Sequence, residues 1–457
     1  PRYFSSRARE NRLLPHQFVL LTQIDESLVP LSVTMEEKSS RHKKARATNP
    51  PASAQEAVPV AEAASLLTDD LIVEILSRLP ARSVHRFKCV SPSWRALITD
   101  PANRKKLPQA LAGFLYSTFH RRDPHFHEFH FANISNSPSP PVDPLLPFLP
   151  SDKYLYVNQL DTCNGLLLCR VHMAPSSPSG DENTPVESHY IVCNPATGRW
   201  VDLPPHPEAP PDSFVFARLA FDPAVSSHFR VLQFENSDLK KYVTGVNVYS
   251  SQTGAWNHRE SRLFEKITLF AGLSGVFFHG MLHLLGWLHH PLYMDENFVL
   301  VAVDVEGQVW KTTRLPSRGL GFGRIGLSQG CLHYASKVLP TVDNNKKKKK
   351  KKEEDTSLAA EIAAVWCMKD YDSKEWILKH SVTIAELWSI TSAEFDVAAI
   401  HPDRGSIFLY SYDDDTLASY DMQHRLHRIL HLEENNTAIF LPYVPLFSDS
   451  FAGADGQ

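Results

Sequence analysis

The sequence predicts an α+β protein with more than one domain, in which a small module of three helices precedes an all-β propeller of about six blades. Three observations support this prediction. Residues near 65–104 place apolar side chains at helical spacing. Beyond residue 113, short β-branched and aromatic runs alternate with turn residues, and one motif recurs there roughly every fifty residues. The chain has 457 residues, 43% of them hydrophobic, which is enough to bury both units.

The first predicted helix opens the segment 65–104. Thr68 can cap it, and Asp69 and Asp70 then lie in its first turn, where the helix dipole favours negative charge. Pro80 ends the helix because proline cannot continue the hydrogen-bond ladder. Its wide apolar face consists of Leu71, Ile72, Ile75, Leu76 and Leu79.

Two further short helices complete the predicted module. The second carries Val84 and Phe87, and Ser91 caps the third, with Pro92 at its first position and Trp94 on its apolar face. Three helices of this size bury little surface by themselves. Two interpretations therefore remain open: a subdomain that packs on the rest of the chain, or a docking module whose apolar face belongs to a partner.

The order of residues in this stretch is specific. Its characteristic positions are Leu67, Asp70, Leu71, Ile72, Ile75, Leu76, Leu79, Pro80, Ser83, Val84, Phe87–Ser91 and Ser93–Arg95. This pattern resembles an F-box, the module by which substrate receptors attach to the Skp adaptor of SCF-type (cullin-RING) ubiquitin ligases. Thr68 stands where the plant form often has proline, which leaves a good cap.

The resemblance implies which residues contact the adaptor. The predicted contacts are Leu67, Leu71, Ile72, Ile75, Leu76, Leu79, Pro80 and Val84. Phe87 and Trp94 are instead expected to hold the helices together. Replacing Leu71 or Leu79 with Asp is then expected to abolish adaptor binding while the propeller stays folded.

A repeated motif organises the remainder of the chain. Its copies occupy residues 194–200, 250–256, 304–310 and 370–376, with a degenerate copy at 421–427. Their final residues lie 56, 54, 66 and 51 positions apart, and the longest interval contains a lysine-rich insert at 341–357. A period near fifty with several strands per unit is typical of a β-propeller. Each tryptophan after a motif turn is expected to pack between neighbouring sheets.

The repeats account for five units between residues 154 and 432. In the second unit, strands are predicted at 215–221, 229–234, 243–249 and 255–258. Strands near 113–118, 127–133 and 438–444 have no partners of their own. A sheet shared between the two ends would close the ring as a sixth, mixed blade.

These units define the predicted domain boundaries. The propeller spans 113–447 and a tail spans 448–457. Within it, Tyr190–Pro204 resembles the F-box-associated (kelch-like) region that often follows the F-box in plant proteins. An early proline-rich segment, 137–150, is predicted to loop out of the first blades.

Composition narrows the function classes. The net charge of −4 does not favour nucleic-acid binding, and no run of about 18 apolar residues predicts a membrane span. The six cysteines are scattered without a C-x-x-C pair, which favours reduced thiols in the cytoplasm, the nucleus or both. Residues 1–64 lack periodicity and are predicted to be a disordered extension, with Met35 as a possible translation start.

Neither catalytic residues nor cofactors are predicted. A histidine cluster, His120, His125, His127 and His130, lacks a carboxylate or cysteine that would complete a metal site, because Glu128 points to the opposite strand face. No P-loop, G-x-S-x-G or H-E-x-x-H motif occurs. The loop Gly319–Gly323 is glycine-rich, but no helix follows it to hold phosphate.

These observations together favour a non-catalytic substrate-recognition subunit of an SCF-type ubiquitin ligase. The helical module would dock on a Skp-type adaptor, and through it on a cullin-RING ligase, while the propeller holds a target protein that the sequence does not identify. Two alternatives stay open. One is a propeller enzyme or a binder of carbohydrates or small molecules; the other is an F-box scaffold that acts outside ubiquitination.

Overall fold

The computed structural model of the chain describes its helical module and its propeller. The described residues are 68–79, 84, 87–88, 90–100, 103, 106–107, 111–120, 123–134, 140, 142–173, 188–206, 213–237, 242–289, 298–316, 323–338, 362–370, 374–383, 386–387, 395–402, 404–413, 415–421, 425–432, 439–446 and 451. The predicted extension at 1–64 and the predicted insert at 341–357 lie outside them.

Two helices form the described part of the helical module, α1 (Asp69–Ser77) and α2 (Pro92–Thr99). Both predicted caps are confirmed: the Thr68 hydroxyl accepts from the Leu71 N–H at 3.4 Å, and the Ser91 hydroxyl accepts from the Trp94 N–H at 3.1 Å. The predicted middle helix is not confirmed. Val84 and Phe87 have helical backbone, but most residues around them lie outside the described part of the chain.

The strands described after residue 112 form six antiparallel sheets. The closing sheet contains β1 (Gly113–His120), β2 (Asp123–Asn133) and β24 (Phe440–Tyr443). Blade 1 contains β3 (Tyr154–Cys163), β4 (Leu166–Met173), β5 (Ser188–Asn194) and β6 (Arg199–Asp202). Blade 2 contains β7 (Ser213–Ala220), β8 (Arg230–Ser237), β9 (Tyr242–Ser250) and β10 (Ala255–Glu260). Blade 3 contains β11 (Ile267–Leu269), β12 (Val276–Phe278), β13 (Met281–Leu288), β14 (Phe298–Asp304) and β15 (Trp310–Arg314).

The last two blades have four strands each. Blade 4 contains β16 (Arg324–Ser328), β17 (Cys331–Val338), β18 (Ile362–Asp370) and β19 (Glu375–Thr383). Blade 5 contains β20 (Asp396–Ile400), β21 (Ser406–Ser411), β22 (Thr416–Asp421) and β23 (Arg425–His431). The four strands predicted for the second repeat unit correspond to those of blade 2.

Neighbouring blades contact one another around a closed ring, mainly through their first strands. β3 contacts β7, β9 contacts β11, β12 contacts β16, β16 contacts β20, and β24 contacts both β20 and β3. The ring closes through β24, which pairs with β1 in a register that runs from Gly113 opposite Tyr443 to Tyr116 opposite Phe440. The prediction of six blades, one of them shared by the two ends of the chain, is confirmed.

The core lies between the blades rather than inside any one of them. Successive residues of a strand face opposite sides, so Leu166 and Leu168 of β4 pack toward blade 2, whereas Leu167 and Cys169 pack toward the closing sheet. Each of the six interfaces has such an apolar cluster. Because both faces of a middle strand are buried, these strands read as continuous apolar runs in the sequence.

The repeated tryptophans join neighbouring sheets, as predicted. The indole N–H of Trp256 donates to the carbonyl of Pro204 at 3.1 Å, and that of Trp376 donates to the carbonyl of Arg314 at 3.1 Å. In both cases the acceptor belongs to the preceding blade. The ring of Trp310 lies 6.1 Å from that of Phe234, across the interface between blades 2 and 3.

Leu446 and Phe451 pack on the propeller near the turn between β3 and β4. Gly165, in the turn between β3 and β4, packs under Leu446, whose carbonyl accepts from the Asn194 side chain at 2.9 Å. Phe451 is only 3% exposed and lies 6.3 Å from Phe229 of blade 2. Phe451 lies within the segment predicted as a tail at 448–457, and its ring is buried in the apolar cluster between blades 1 and 2.

The proline-rich segment predicted as a loop packs on the propeller in its described part. Leu146 and Leu149 are buried in the cluster between the closing sheet and blade 1. There the two leucines pack with Leu115 of β1, Leu167 of β4 and Ile191 of β5.

Candidate functional site

Helix α1 has apolar side chains on two faces. Ile72, Val73 and Leu76 point into the helical module and are buried there. Leu71 and Ile75 lie one helical turn apart on the other side, 50% and 47% exposed. Residues four apart on a helix are neighbours, so these two side chains form a continuous exposed apolar stripe, hereafter the α1 stripe.

The structure divides the predicted adaptor contacts into two groups. Leu71 and Ile75 are exposed, whereas Ile72, Leu76 and Val84 lie in the core of the module. Leu79 is half-buried against the same core. The remaining two predicted contacts, Leu67 and Pro80, lie outside the described residues.

The predicted structural role of the aromatic pair is confirmed. The rings of Phe87 and Trp94 meet edge to face with centroids 5.5 Å apart, and both pack on the core of the module. Leu107 also belongs to this core, 5% exposed, which extends the module beyond the predicted boundary at 104. The backbone N–H of Leu107 bonds to the carbonyl of Asn103, and this turn brings the leucine back onto the helices.

Sequence reasoning overlooked Val73 and Leu107 as core residues. Helical spacing would have found Val73, because residues 72, 73 and 76 fall on one face at steps of one and three. The signal for Leu107 is weak, since it follows Pro101 and lies in a segment without clear periodicity.

The exposed apolar surface of the α1 stripe is unfavourable in contact with water. Apolar surface in contact with water costs about 25 cal/mol per Å² relative to buried surface. The flanking charges Asp70 and Glu74 keep the helix surface hydrated, and Glu74 also pairs with Arg78 at 2.6 Å. An apolar stripe bordered by charged residues is a typical feature of protein interfaces.

The propeller contains a charged cluster, which is an alternative candidate site. On β6, Asp202 accepts from the Tyr154 hydroxyl at 2.9 Å, bonds to His189 Nε2 at 2.7 Å, and pairs with Lys153. Burial alone would raise the pKa of Asp202, but these hydrogen bonds outweigh it and lower the pKa to about 2. Both carboxylate oxygens are engaged within the protein, so the cluster fastens β3, β5 and β6 together.

The cluster predicts a pH dependence of stability. Because the folded state lowers the pKa of Asp202, its contribution is present above the unfolded value near 3.8 and fades as the pH falls toward 2. Asp202→Asn should therefore lose about 1 kcal/mol at pH 7, a value reduced for partial solvent screening. Urea unfolding at pH 7 and pH 3.5 measures this: the deficit should shrink at the lower pH, and an equal deficit at both would contradict the assignment.

A second polar network lies between blades 1 and 2. The side-chain amide of Asn247 donates to Glu235 Oε1 at 2.7 Å and to Gln233 Oε1 at 3.1 Å, and its oxygen lies 3.0 Å from His258 Nδ1. Glu235 is 5% exposed. The network satisfies buried polar groups.

Two further findings concern metal binding and membrane insertion in the described part of the chain. No three His, Cys, Asp or Glu side chains there approach one another as metal ligands would. None of the described helices is long and apolar enough to cross a membrane. At the predicted histidine cluster, His130 stacks on Tyr116 and lies 3.1 Å from the Thr118 hydroxyl.

Comparison with known proteins agrees with both units. The F-box domain family matches residues 65–106, and the family described as F-box protein At3g26010-like, beta-propeller, matches residues 119–443. F-box protein At3g26010 of Arabidopsis thaliana is 25% identical over 391 residues, which is 81% of this chain and 80% of the relative.

Two other relatives from Arabidopsis thaliana match this chain at similar identity but over fewer residues. F-box protein At5g07610 is 26% identical over 227 residues, 48% of this chain, and the match spans about half (51%) of that relative. F-box protein At5g49610 is 25% identical over 336 residues, covering 70% of this chain and 80% of the relative.

The propeller family covers most of the chain, and the F-box family covers the helices that precede it. The six-bladed ring and the capped helical module of this chain agree with the two family matches. The chain therefore belongs to the plant F-box proteins that carry an At3g26010-like β-propeller.

Proposed function

We propose that this protein is the substrate-recognition subunit of an SCF-type ubiquitin ligase. The observation that carries the proposal is the α1 stripe: Leu71 and Ile75 are exposed on an F-box whose own core is already complete without them. An apolar surface that the module does not need for its own stability is available to a Skp-type adaptor.

The proposed mechanism is proximity. The F-box docks on the adaptor, the adaptor connects to a cullin-RING ligase, and the propeller holds a target protein. This arrangement raises the effective concentration of target lysines near the ubiquitin-loaded enzyme. No group of this chain performs a chemical step in such a mechanism, so the protein acts as a non-catalytic receptor.

The propeller offers two rims for the target. The chain enters β1 at one rim, where the Ala112 N–H bonds to the Tyr443 carbonyl and the segment around Leu446 crosses blade 1. The connections between second and third strands lie at the opposite rim, because successive strands are antiparallel. We infer that the target binds at this opposite rim, away from the point where the F-box joins the propeller.

The α1 stripe gives the first test of the proposal. Leu71→Asp and Ile75→Asp should each weaken the affinity for a purified Skp adaptor at least about thirtyfold, which corresponds to about 2 kcal/mol at an interface hot spot. Their melting temperatures should match that of the native protein, because both side chains are already half exposed. Binding is measured by titration of the full chain.

Two control variants separate docking from folding. Val225→Asp changes a residue of the propeller that is 73% exposed and should leave the affinity unchanged. Leu76→Asp buries a charge in the F-box core and should unfold that module. Unchanged adaptor affinity in both stripe variants would contradict the proposal.

A second measurement separates the ligase subunit from a scaffold. The native chain should recover a cullin together with the adaptor from plant extract, whereas Leu71→Asp should recover neither. Recovery of adaptor without cullin would favour a scaffold outside ubiquitination. We also propose residence in the cytoplasm, the nucleus or both, and imaging of a fluorescent fusion checks this.

A further inference from the structure

The closing sheet has an open position at its outer edge. Its strand order is β2–β1–β24, whereas blades 1, 2, 4 and 5 each contain four strands and blade 3 contains five. The corresponding order in blade 1 is β6–β5–β4–β3, so β2 has the position of β5, and no described strand has the position of β6. With 11 residues, β2 is also the longest strand in the described part of the chain. A long strand edge without a partner strand readily pairs with another extended chain.

A recurring tryptophan shows what the outer strand contributes in blades 1 to 4. In each of these blades, the Trp of the outer strand lies opposite a residue near the end of the third strand. The pairs are Cys193 with Trp200, Tyr249 with Trp256, Val303 with Trp310, and Met368 with Trp376. Each tryptophan packs on the apolar cluster that its blade shares with the preceding sheet.

The closing sheet presents the matching surface on its side toward blade 5. Ala132 is the second-last residue of β2, the place that faces the Trp in blades 1, 2 and 3, and it is buried in the cluster shared with blade 5. Ile134, Leu430 and Leu432 pack on this cluster and remain partly exposed. Leu432 directly follows the outer strand of blade 5. The carbonyl that accepts from the indole N–H of Trp256 follows the outer strand of blade 1 in a similar way.

Glu128 adds a charge to the same side of β2. It lies four residues before Ala132 and is exposed. Side chains at even spacing along a strand share a face, so an antiparallel strand with an aromatic residue opposite Ala132 places its fourth following residue opposite Glu128. A basic residue there would form a favourable cross-strand pair with the carboxylate. The outer strand of blade 3 has this spacing, since Arg314 lies four residues after Trp310.

We propose that the outer edge of β2 binds an extended segment of the target protein, with an aromatic residue opposite Ala132 and a basic residue four positions later opposite Glu128. This inference rests on the proposed function, because it identifies the partner as the target. β2 begins at Asp123 on the rim opposite the F-box, so the segment leads directly to the rim assigned to the target. Backbone hydrogen bonds provide the affinity, and the two side chains provide the specificity.

The test uses a fluorescent peptide with the sequence of residues 308–315, QVWKTTRL, which contains β15. The full chain is titrated into the peptide, and binding is followed by fluorescence anisotropy. We expect saturable binding that Trp310→Ala in the peptide weakens about thirtyfold, the effect of losing an interface hot spot. Methylation of backbone nitrogens on one edge of the peptide should abolish binding, whereas methylation on the other edge should not, because a docked strand pairs through one edge only.

A charge exchange tests the assigned register. Glu128→Lys in the full chain should weaken binding of the native peptide about fivefold and strengthen binding of the Arg314→Glu peptide. Its melting temperature should stay unchanged, because the Glu128 side chain is exposed. The matched control is Glu260→Lys, which alters an exposed carboxylate on the outer strand of blade 2 and should leave both affinities unchanged. Equal effects of the two variants would contradict the register.

Two measurements on the native chain locate the bound peptide. A peptide with benzoylphenylalanine in place of its Trp should label residues near Ala132 and Leu432 on irradiation, and labelling of blade 3 would overturn the proposal. Alternate amides of β2 between residues 128 and 132 should exchange hydrogen quickly in the free chain and slowly with peptide. Slow exchange of all of them in the free chain would mean that the edge is already paired, which also overturns it.

Adaptor binding separates this inference from the proposed function. Leu71→Asp should lose the adaptor and keep the peptide, because the α1 stripe and the edge of β2 are different surfaces. If the native chain binds the adaptor but not the peptide, the inference about β2 is wrong and the receptor function stands.

Discussion

Arg218→Met is expected to destabilise the propeller by about 3–5 kcal/mol, the usual cost of breaking a buried charge arrangement on one side. Arg218 lies on β7 and is 2% exposed. Its guanidinium donates to the carbonyls of Ala271 at 2.5 Å and Leu273 at 2.7 Å. These carbonyls lie where the first strand of blade 3 is interrupted between β11 and β12, so the arginine replaces the missing strand partners.

Asp161 completes this arrangement from blade 1. Its carboxylate is 2% exposed and accepts from the Leu219 N–H at 2.8 Å. Burial raises the pKa of Asp161 to about 6, and the charge of Arg218 keeps the pKa from rising further. Arg218 is the one charged group among the interactions that set the pKa of Asp161. Without the arginine, ionising the buried carboxylate costs more free energy.

The expected result has a pH signature. Asp161 in Arg218→Met has a pKa further above its unfolded value, so stability falls as the pH rises through that interval. The deficit relative to the native protein should therefore be larger at pH 8 than at pH 5 in urea unfolding. Asp161→Asn combined with Arg218→Met should remove the pH component and recover part of the loss.

A matched control uses another arginine of the same blade. Arg230 contacts Glu306 at 3.4 Å, and the glutamate side chain is 54% exposed. Surface ion pairs contribute about 0–1 kcal/mol, so Arg230→Met should cost no more than that. Similar losses for Arg218→Met and Arg230→Met would contradict the structural role assigned to Arg218.

Gly165→Ala is expected to cost about 3 kcal/mol or more, from two sources that add. The residue has φ = 89°, a region that costs L-residues about 1–2 kcal/mol. A Cβ there would also lie 2.4 Å from the Leu446 Cβ and 2.8 Å from the Val444 carbonyl oxygen. The C-terminal segment would have to shift, and the contact between Phe451 and Phe229 would be lost with it.

Gly254→Ala separates the two sources. Gly254 occupies the corresponding left-handed region with φ = 69°, but no atom lies within 4 Å of its Cβ position. This variant should therefore show only the conformational cost, about 1–2 kcal/mol. Urea unfolding of both variants measures the difference, and equal losses would mean that the C-terminal segment does not pack under Gly165.

Local patterns predicted much of this architecture because their causes are local. The caps at Thr68 and Ser91 follow from side-chain oxygens beside free N–H groups. The spacing of the tryptophans predicted both the blades and their contacts, because each Trp follows a turn at the same place in its repeat. The mixed blade followed from counting strands that lacked partners.

The division of α1 into two faces could not be predicted in the same way. Leu71, Ile72, Ile75 and Leu76 are all apolar, and a helix with apolar residues on two sides does not reveal which side its own module covers. The structure decides this because Val84, Ile98 and Leu107 converge on Ile72 and Leu76. Leu71 and Ile75 remain exposed as a consequence of that packing.

By itself, the sequence determined the fold class, the number of blades, the helix caps and the F-box pattern, since each depends on neighbouring residues or on a repeat. Only the tertiary structure decided which leucines face solvent, that Phe451 belongs to the core, and that Arg218 fills a gap in blade 3. These features join residues far apart in the chain, and their energies depend on distances that no local pattern encodes.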